Sequence, residues 1–504
     1  MVAKSYRPVQ RDQLFLMDQD MREWLPKDHL VWWVLEVIER IDTSAFHQQR
    51  SRRTSAKSVA GQRGYDPDML LGLLVFAYCM GERSSRQIER RCRYDITFRV
   101  ACGGDVPDHT VISRFRSEFV GAFTSLFCEV LAVCAQAGMV RVGTVALDGT
   151  KIAANAALDQ SRKESRLREI AEQVVTEAAA ADESTLEDVD EGPSDQTGPQ
   201  MGTPTARAMA AREALAQIAA DRERRPDPEV AAAERAVKRA QDTVDEWETK
   251  VTTSYERQQK ARAEGKPLPG KPMTHPDKHR GLRQRRERLE KWQKELAKRL
   301  ADESERRGNL TDPDSRIMKE RKGFGQDYNA QMVVSDDHFI VMAEATNTVS
   351  DRTLFEPMMA KAQANVAALP PDAQGAPRTI GKALADVGYF SVENLTCAGP
   401  ERLIALHKSR ELTTPRPSAS KTSQQYRDRS AILAMEDKLS DPANQALYKR
   451  RGATVEPMNA HIKDLRGLRR FAMRGLAKVD GELKLAAAAT NLMRYATTMG
   501  TVTT

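Results

Sequence analysis

Paired cysteines, long apolar runs and an apolar leader are all missing from this 504-residue chain. Its six cysteines, at 79, 92, 102, 128, 134 and 397, are widely spaced and form no C-x-x-C pair. That spacing excludes a zinc ribbon and a disulfide framework, and fits a reducing compartment. No run approaches the ~18–20 apolar residues of a membrane span. The opening Met-Val-Ala-Lys-Ser-Tyr-Arg-Pro has no apolar signal region, so a soluble, cytoplasmic protein is expected. Large apolar residues are also scarce between about 156 and 305, where Ala, Glu, Arg and Gln dominate.

Basic charge is present, and in patches. The net charge is +7 and the pI about 9.0. Residues 448–478 carry nine Lys or Arg against two acids, and 276–300 carry ten against four, whereas 181–196 is acidic. Clustering of this kind points to a polyanionic partner, most simply nucleic acid. The densest patch is Tyr448-Lys-Arg-Arg-Gly-Ala-Thr-Val-Glu-Pro-Met-Asn-Ala-His-Ile-Lys463. Val455, Met458, Ile462 and Leu465 recur at helical spacing, which predicts an amphipathic helix from about Thr454. Glu456 and Lys463, two turns apart, then share a face. Taken alone, the segment reads equally as an exposed basic helix with one decorative acid.

The pattern divides the chain into four stretches. Residues 1–137 read as a helical DNA-binding domain, with caps at Asp66, Ser84 or Ser85, and Asp108. Between Ser84 and Phe119, a helix, turn and helix with Arg86, Arg90, Arg91, Arg114 and Arg116 exposed would suit a helix-turn-helix reader or an ordinary bundle. Residues 138–156 begin an α/β core, with a buried strand ending at Asp148. Residues 157–305 form a helical insertion. Val230, Val237, Val244 and Val251, then Leu282, Leu289 and Leu296, repeat at intervals of seven and predict an antiparallel coiled-coil hairpin. His275 and His279 lack a third ligand nearby, so their spacing is read as chance. Residues 306–504 resume the core. A hairpin turns at Asp336-Asp337-His338, and a helix N-capped by Asp351 runs to Pro370. A short strand ends at Asp386, and later helices follow. Asp312 and Asp314 read as turn residues.

Strand with Asp148, hairpin, helix, strand with Asp386, then helix with Glu456 is the element order of an RNase H-like fold. Three crowded carboxylates repel one another unless cations neutralise them. Hard divalent ions suit such ligands, and a pair of them suits in-line phosphoryl transfer.

Tyr448-x2-Arg451-x4-Glu456-x6-Lys463 resembles the Tyr-Arg-Glu-Lys signature of bacterial insertion-sequence DDE transposases, with the Arg-to-Glu gap one residue longer than usual. Ala385-Asp386-Val-Gly-Tyr-Phe is similar to the family's second-acid strand, and Leu147-Asp148-Gly-Thr-Lys to its first. Asn309-Leu-Thr-Asp-Pro-Asp-Ser-Arg316 and Tyr328-Asn-Ala-Gln331 resemble landmarks between them. Pro107-Asp108-His109-Thr110 resembles the InsH-type helical domain that precedes the catalytic core. The resemblance implies that Asp148, Asp386 and Glu456 hold two Mg²⁺ ions, with Mn²⁺ able to substitute. It implies that Tyr448, Arg451 and Lys463 touch DNA near the scissile phosphate; Arg466, Arg114 and Arg116 join them as basic contacts. It further implies double-stranded DNA ends and target as partners, a homodimer or larger assembly on DNA, and a nucleoid-associated cytoplasmic protein. The expected activity is cleavage at terminal inverted repeats followed by 3′-hydroxyl transfer. The alternatives are a nuclease without strand transfer and an inactive DNA-binding protein.

Overall fold

From Gln326 to Ser335 every residue is buried, and this run forms most of strand β5, Gly323–Ser335. A strand covered on both faces shows no polar–apolar alternation. In the computed structural model, which describes residues 20–47, 64–181, 204–224, 228–267, 270–304, 306–320, 322–407 and 429–500, β5 is the hub of a six-stranded sheet. Strand β1 (Thr144–Ala153) pairs antiparallel with one edge of β5. The other edge is shared by β4 (Arg316–Glu320) and β6 (Ile340–Thr346), both antiparallel to β5. Beyond β1 lie β7 (Lys382–Ala385) and β8 (Glu401–Ile404), each parallel to its neighbour. Strands β2 (Ser161–Lys163) and β3 (Arg307–Asn309) form a separate antiparallel pair.

The chain divides into two compact units, Met1–Asn155 with Ser315–Thr504, and Ala156–Asp314. The first unit holds the six-stranded sheet and the N-terminal helices together. Its central helix, Leu476–Met499, carries the buried small stripe Ala486–Ala489 and packs against Ala122–Gln136, Pro67–Cys79 and β6. Small side chains allow that close approach; a Cβ on Gly481 would lie 2.9 Å from the Val120 carbonyl oxygen. Glu482 of this helix is fully buried. It accepts from Arg83 Nη1 at 2.7 Å, Tyr78 Oη at 3.3 Å and the Ala472 amide at 2.9 Å. These bonds and the Arg83 charge offset the cost of burying the carboxylate. The helix starts expected at Asp66, Ser84 and Asp108 are side-chain caps in the structure. Among the described residues no single helix is long and apolar enough to cross a membrane.

The second unit contains two helix pairs. Glu164–Ala181 and Pro204–Arg224 close around Leu167, Ile170, Ala211, Ala214 and Ile218. The helices Pro228–Ala263 and Arg280–Ser304 pack through Val244, Leu282 and Leu289, with Val237, Ala240 and Trp247 alongside. They run antiparallel. Gln258 binds Lys271 and Met273 near the turn, whereas Glu248 meets Arg286 farther along. Arg285 lies 3.6 Å above the Trp247 ring. The seven-residue repeat thus marks the buried seam.

Three expectations change. Strand β1 does not end at Asp148; it runs on to Ala153, because Gly149 to Ala153 continue the ladder with β5. Asp351 is not a helix N-cap. Ser350 caps the short turn Asp351–Thr353, and Phe355–Ala367 begins without a side-chain cap. Leu465 is 53% exposed rather than part of the apolar face. The turn His461–Leu465 is a π-helix, closed by the Arg466 amide on the His461 carbonyl at 2.9 Å. Its extra residue advances the phase, turning Leu465 out and Arg466 in.

Candidate active site

Asp148 and Asp386 are brought together by strand register. Leu147 of β1 lies beside Ala385 of β7 in parallel pairing, so the next residue on each strand is an acid. Asp386 then leaves the sheet, its side chain accepting from the Gly388 amide at 2.8 Å. Asp148 remains in the strand, and its side chain meets the helix Pro442–Ala460. Asn459 Nδ2 donates to Asp148 Oδ2 at 2.9 Å, and Arg451 Nη1 stands 3.9 Å from Oδ1.

Burial pushes the Asp148 carboxyl up to about 6; Arg451 draws it down, and Asp386 and Asp351 push it further up. Beside Asp148, Asn459 Oδ1 and Arg451 Nη1 are buried with no hydrogen-bond partner. Carboxylates together with an unpartnered amide oxygen are the donor set of a hard divalent cation. Two tighter groupings, Glu89–Asp108–His109 and His47–Asp66–Asp68, lie elsewhere. Asp66 and Asp108 there already cap helices, and Glu89 accepts from the His109 amide and ring.

Glu456 is exposed on the same helix as Asn459, and the described contacts of Asp148 come from Asn459 and Arg451 rather than from Glu456. Three residues, nearly one helical turn, separate Glu456 from Asn459. A Cβ on Gly452 would lie 3.1 Å from Glu456 Oε1, so the glycine leaves room for that carboxylate. Pro457 follows it inside the helix.

The residues expected at DNA differ in their surroundings. Tyr448 is half-buried, its hydroxyl donating to the Ala385 carbonyl at 3.1 Å, at the end of β7. Arg451 faces Asp148. Lys463 lies in the π turn, where burial and then Arg469 lower its pKa while Asp327 and Glu320 draw it back up. Arg114, Arg450, Arg469 and Arg470 are exposed. Arg116 and Arg466 do not present their guanidinium groups to solvent, being 7% and 5% exposed. Arg116 donates to the Arg83 carbonyl at 2.6 Å, and Arg466 to the carbonyls of Tyr78 and Cys79. Buried guanidinium donors in a framework satisfy main-chain oxygens, and the expected DNA contact is corrected for both.

Sequence reasoning missed Asn459 and misplaced Asp351. Asn is a poor mid-helix residue, so its position one turn past Glu456 was the available signal. Asp351 accepts from Asn329 Nδ2 at 2.7 Å and Gln331 Nε2 at 2.8 Å, two polar side chains of β5.

Two family models match the chain. One is described as a transposase domain (DUF772) and covers residues 19–118. The other is described as a transposase DDE domain and covers residues 408–496, including Glu456. No curated protein and no solved structure matches. A DDE domain indicates a metal-dependent enzyme that cleaves DNA. Both matches are to transposase domains, and together they support an insertion-sequence DDE transposase.

Proposed function

We propose that this transposase binds the terminal inverted repeats of its element, cuts their ends at a site of Asp148, Asp386 and Glu456, and joins the freed 3′-hydroxyl to target DNA. The observation that carries the reading is the register of β1 and β7, which sets Asp148 beside Asp386 under a helix bearing Glu456 and a basic surface. The strand order β6-β5-β1-β7-β8, three antiparallel and then two parallel, supports an RNase H-like core.

Asp148, Asp386 and Glu456 would hold two Mg²⁺ ions, whose chemistry there is activation of a water and stabilisation of the departing oxygen. Arg451 keeps Asp148 ionised and Asn459 orients it. Tyr448 braces the end of β7 beside the acids. Exposed Lys449, Arg450, Arg469 and Arg470 supply phosphate contacts. Arg114 extends that surface from the N-terminal helices. The antiparallel helix pair of the second unit is a coiled coil that joins two copies on DNA.

Asp148→Ala should abolish Mg²⁺-dependent cleavage of an inverted-repeat duplex while leaving its binding intact in a gel-shift assay. Undiminished cleavage overturns the reading. Supplying a pre-cleaved end and a target plasmid separates transposition from hydrolysis, since only a transposase yields joined product.

A further inference from the structure

Asp351 sits beside the two strand acids, although it arrives from a different part of the chain. Its carboxylate lies 2.8 Å from the point a Cβ on Gly149 would occupy. A Cβ on Gly388 would stand 2.9 Å from Asp386 Oδ1 and 3.7 Å from Asp351 Oδ2. Gly388 thus lies between the Asp386 and Asp351 carboxylates, and Gly149 lies against Asp351 Oδ1 and its amide partners Gln331 and Asn329.

The two oxygens of Asp351 differ in their surroundings. Oδ1 is clamped by Asn329 Nδ2 and Gln331 Nε2, both from fully buried side chains. Gln331 is itself held by the Tyr389 hydroxyl, which donates to its Oε1 at 2.5 Å. Lys151 stands 3.9 Å from the same Oδ1. Oδ2 is the oxygen directed toward the Asp386 side. An amide clamp on one oxygen fixes the direction of the other, as outer hydrogen bonds do for metal-holding carboxylates.

The charge count points the same way. Among the described residues, the ion pairs of Asp148, Asp351 and Asp386 are those with Arg451 and Lys151, each 3.9 Å from one acid. The buried, unpartnered Asn459 Oδ1 next to Asp148 is an independent sign of a missing positive group.

We propose that Asp351 is a fourth carboxylate of the cation site, offering Oδ2 to a bound divalent ion while Asn329, Gln331 and Tyr389 hold Oδ1. The proposal rests on the reading of Asp148 and Asp386 as metal-holding residues. It assigns the Tyr328-Asn-Ala-Gln331 segment the task of presenting that acid.

Mn²⁺ binding to the full chain without DNA, read from the free-ion signal in electron paramagnetic resonance, tests it. Asp351→Asn keeps an acceptor for the amides but removes the charge. The expected result is Mn²⁺ affinity lowered 10–100-fold, or one ion fewer bound, with an unchanged metal-free melting temperature. Wild-type affinity and stoichiometry in that variant, with Asp148→Asn binding weakly, overturn the role of Asp351 alone. Undiminished binding in both variants overturns the metal reading of the site as a whole. Asp351→Ser replaces the asparagine variant if that one does not fold, with the same two results deciding.

Discussion

Asp327 of β5 is fully buried, and neither of its carboxylate oxygens has a hydrogen-bond partner. Burial, then Glu320, push its carboxyl up to about 6, while Lys151, Lys463 and Arg470 draw it down. Folding therefore raises this pKa from 3.8 to about 6, so the folded state takes up a proton between those values. Its contribution to stability is present below pH 4 and lost as pH rises through 6. A shift of that size corresponds to about 3 kcal/mol. Asp327→Asn should stabilise the protein at pH 7 by an amount of that order and flatten its stability between pH 4 and 6. Urea midpoints across that range check this; an unchanged slope would show that the three cations already neutralise the acid. The same substitution removes the counter-charge of Lys463 and should strengthen its attraction for phosphate.

At the scale of elements, the π turn His461–Leu465 connects the acid-bearing helix to the rest of its unit. Arg466, turned inward by the extra residue, reaches the Tyr78 and Cys79 carbonyls at the end of Pro67–Cys79. Gly81, at φ +74°, lies beneath the turn, and a Cβ there would fall 2.6 Å from the Leu465 carbonyl oxygen. Gly81→Ala should cost roughly 2–4 kcal/mol, from the left-handed backbone and the clash together. Chemical denaturation measures the loss. Because the clash is with the turn that carries Lys463, DNA affinity should fall in the same variant at temperatures where it remains folded. The N-terminal helices thus brace the unit that holds the six-stranded sheet, which the sequence-based boundary at 137 did not express.

At the scale of the whole molecule, register shows how the second unit is inserted. Ala153 of β1 and Arg316 of β4 both pair with Asp327, from opposite edges of β5. The strands that leave and re-enter the first unit are therefore two strand spacings apart, about 10 Å. Replacing Ala156–Asp314 by a Gly/Ser linker of roughly five residues should leave the first unit folded, with a single cooperative melt. Under the proposed pairing role of the helical hairpin, the deletion should also lower the assembly state on inverted-repeat DNA. Light scattering reads this, and an unchanged oligomer would remove that role. The unit boundaries of the structure, 156 and 314, enclose β2 and β3 as well as the helices. The sequence boundaries at 157 and 305 left out β3, whose three residues carry no periodicity of their own.

Local chemistry alone determined much of this protein. Asp66, Ser84 and Asp108 cap helices because short polar side chains before a helical run satisfy free amides wherever they occur. The heptad valines and leucines predicted the antiparallel helix pair, since a seven-residue repeat leaves only one apolar seam. The strand acids Asp148 and Asp386 were legible as acids in apolar runs. Their adjacency was decided by strand pairing, which no local signal encodes. Arg116 and Arg466 look like surface charge in one dimension and become framework donors once carbonyls from distant helices converge on them. Asp351 has a capping sequence but not a capping role, because Asn329 and Gln331, twenty or so residues earlier, offer it two buried donors. Hydrogen-bond partners fixed by short-range geometry can be read from the chain, whereas those supplied across a sheet exist only after it has formed.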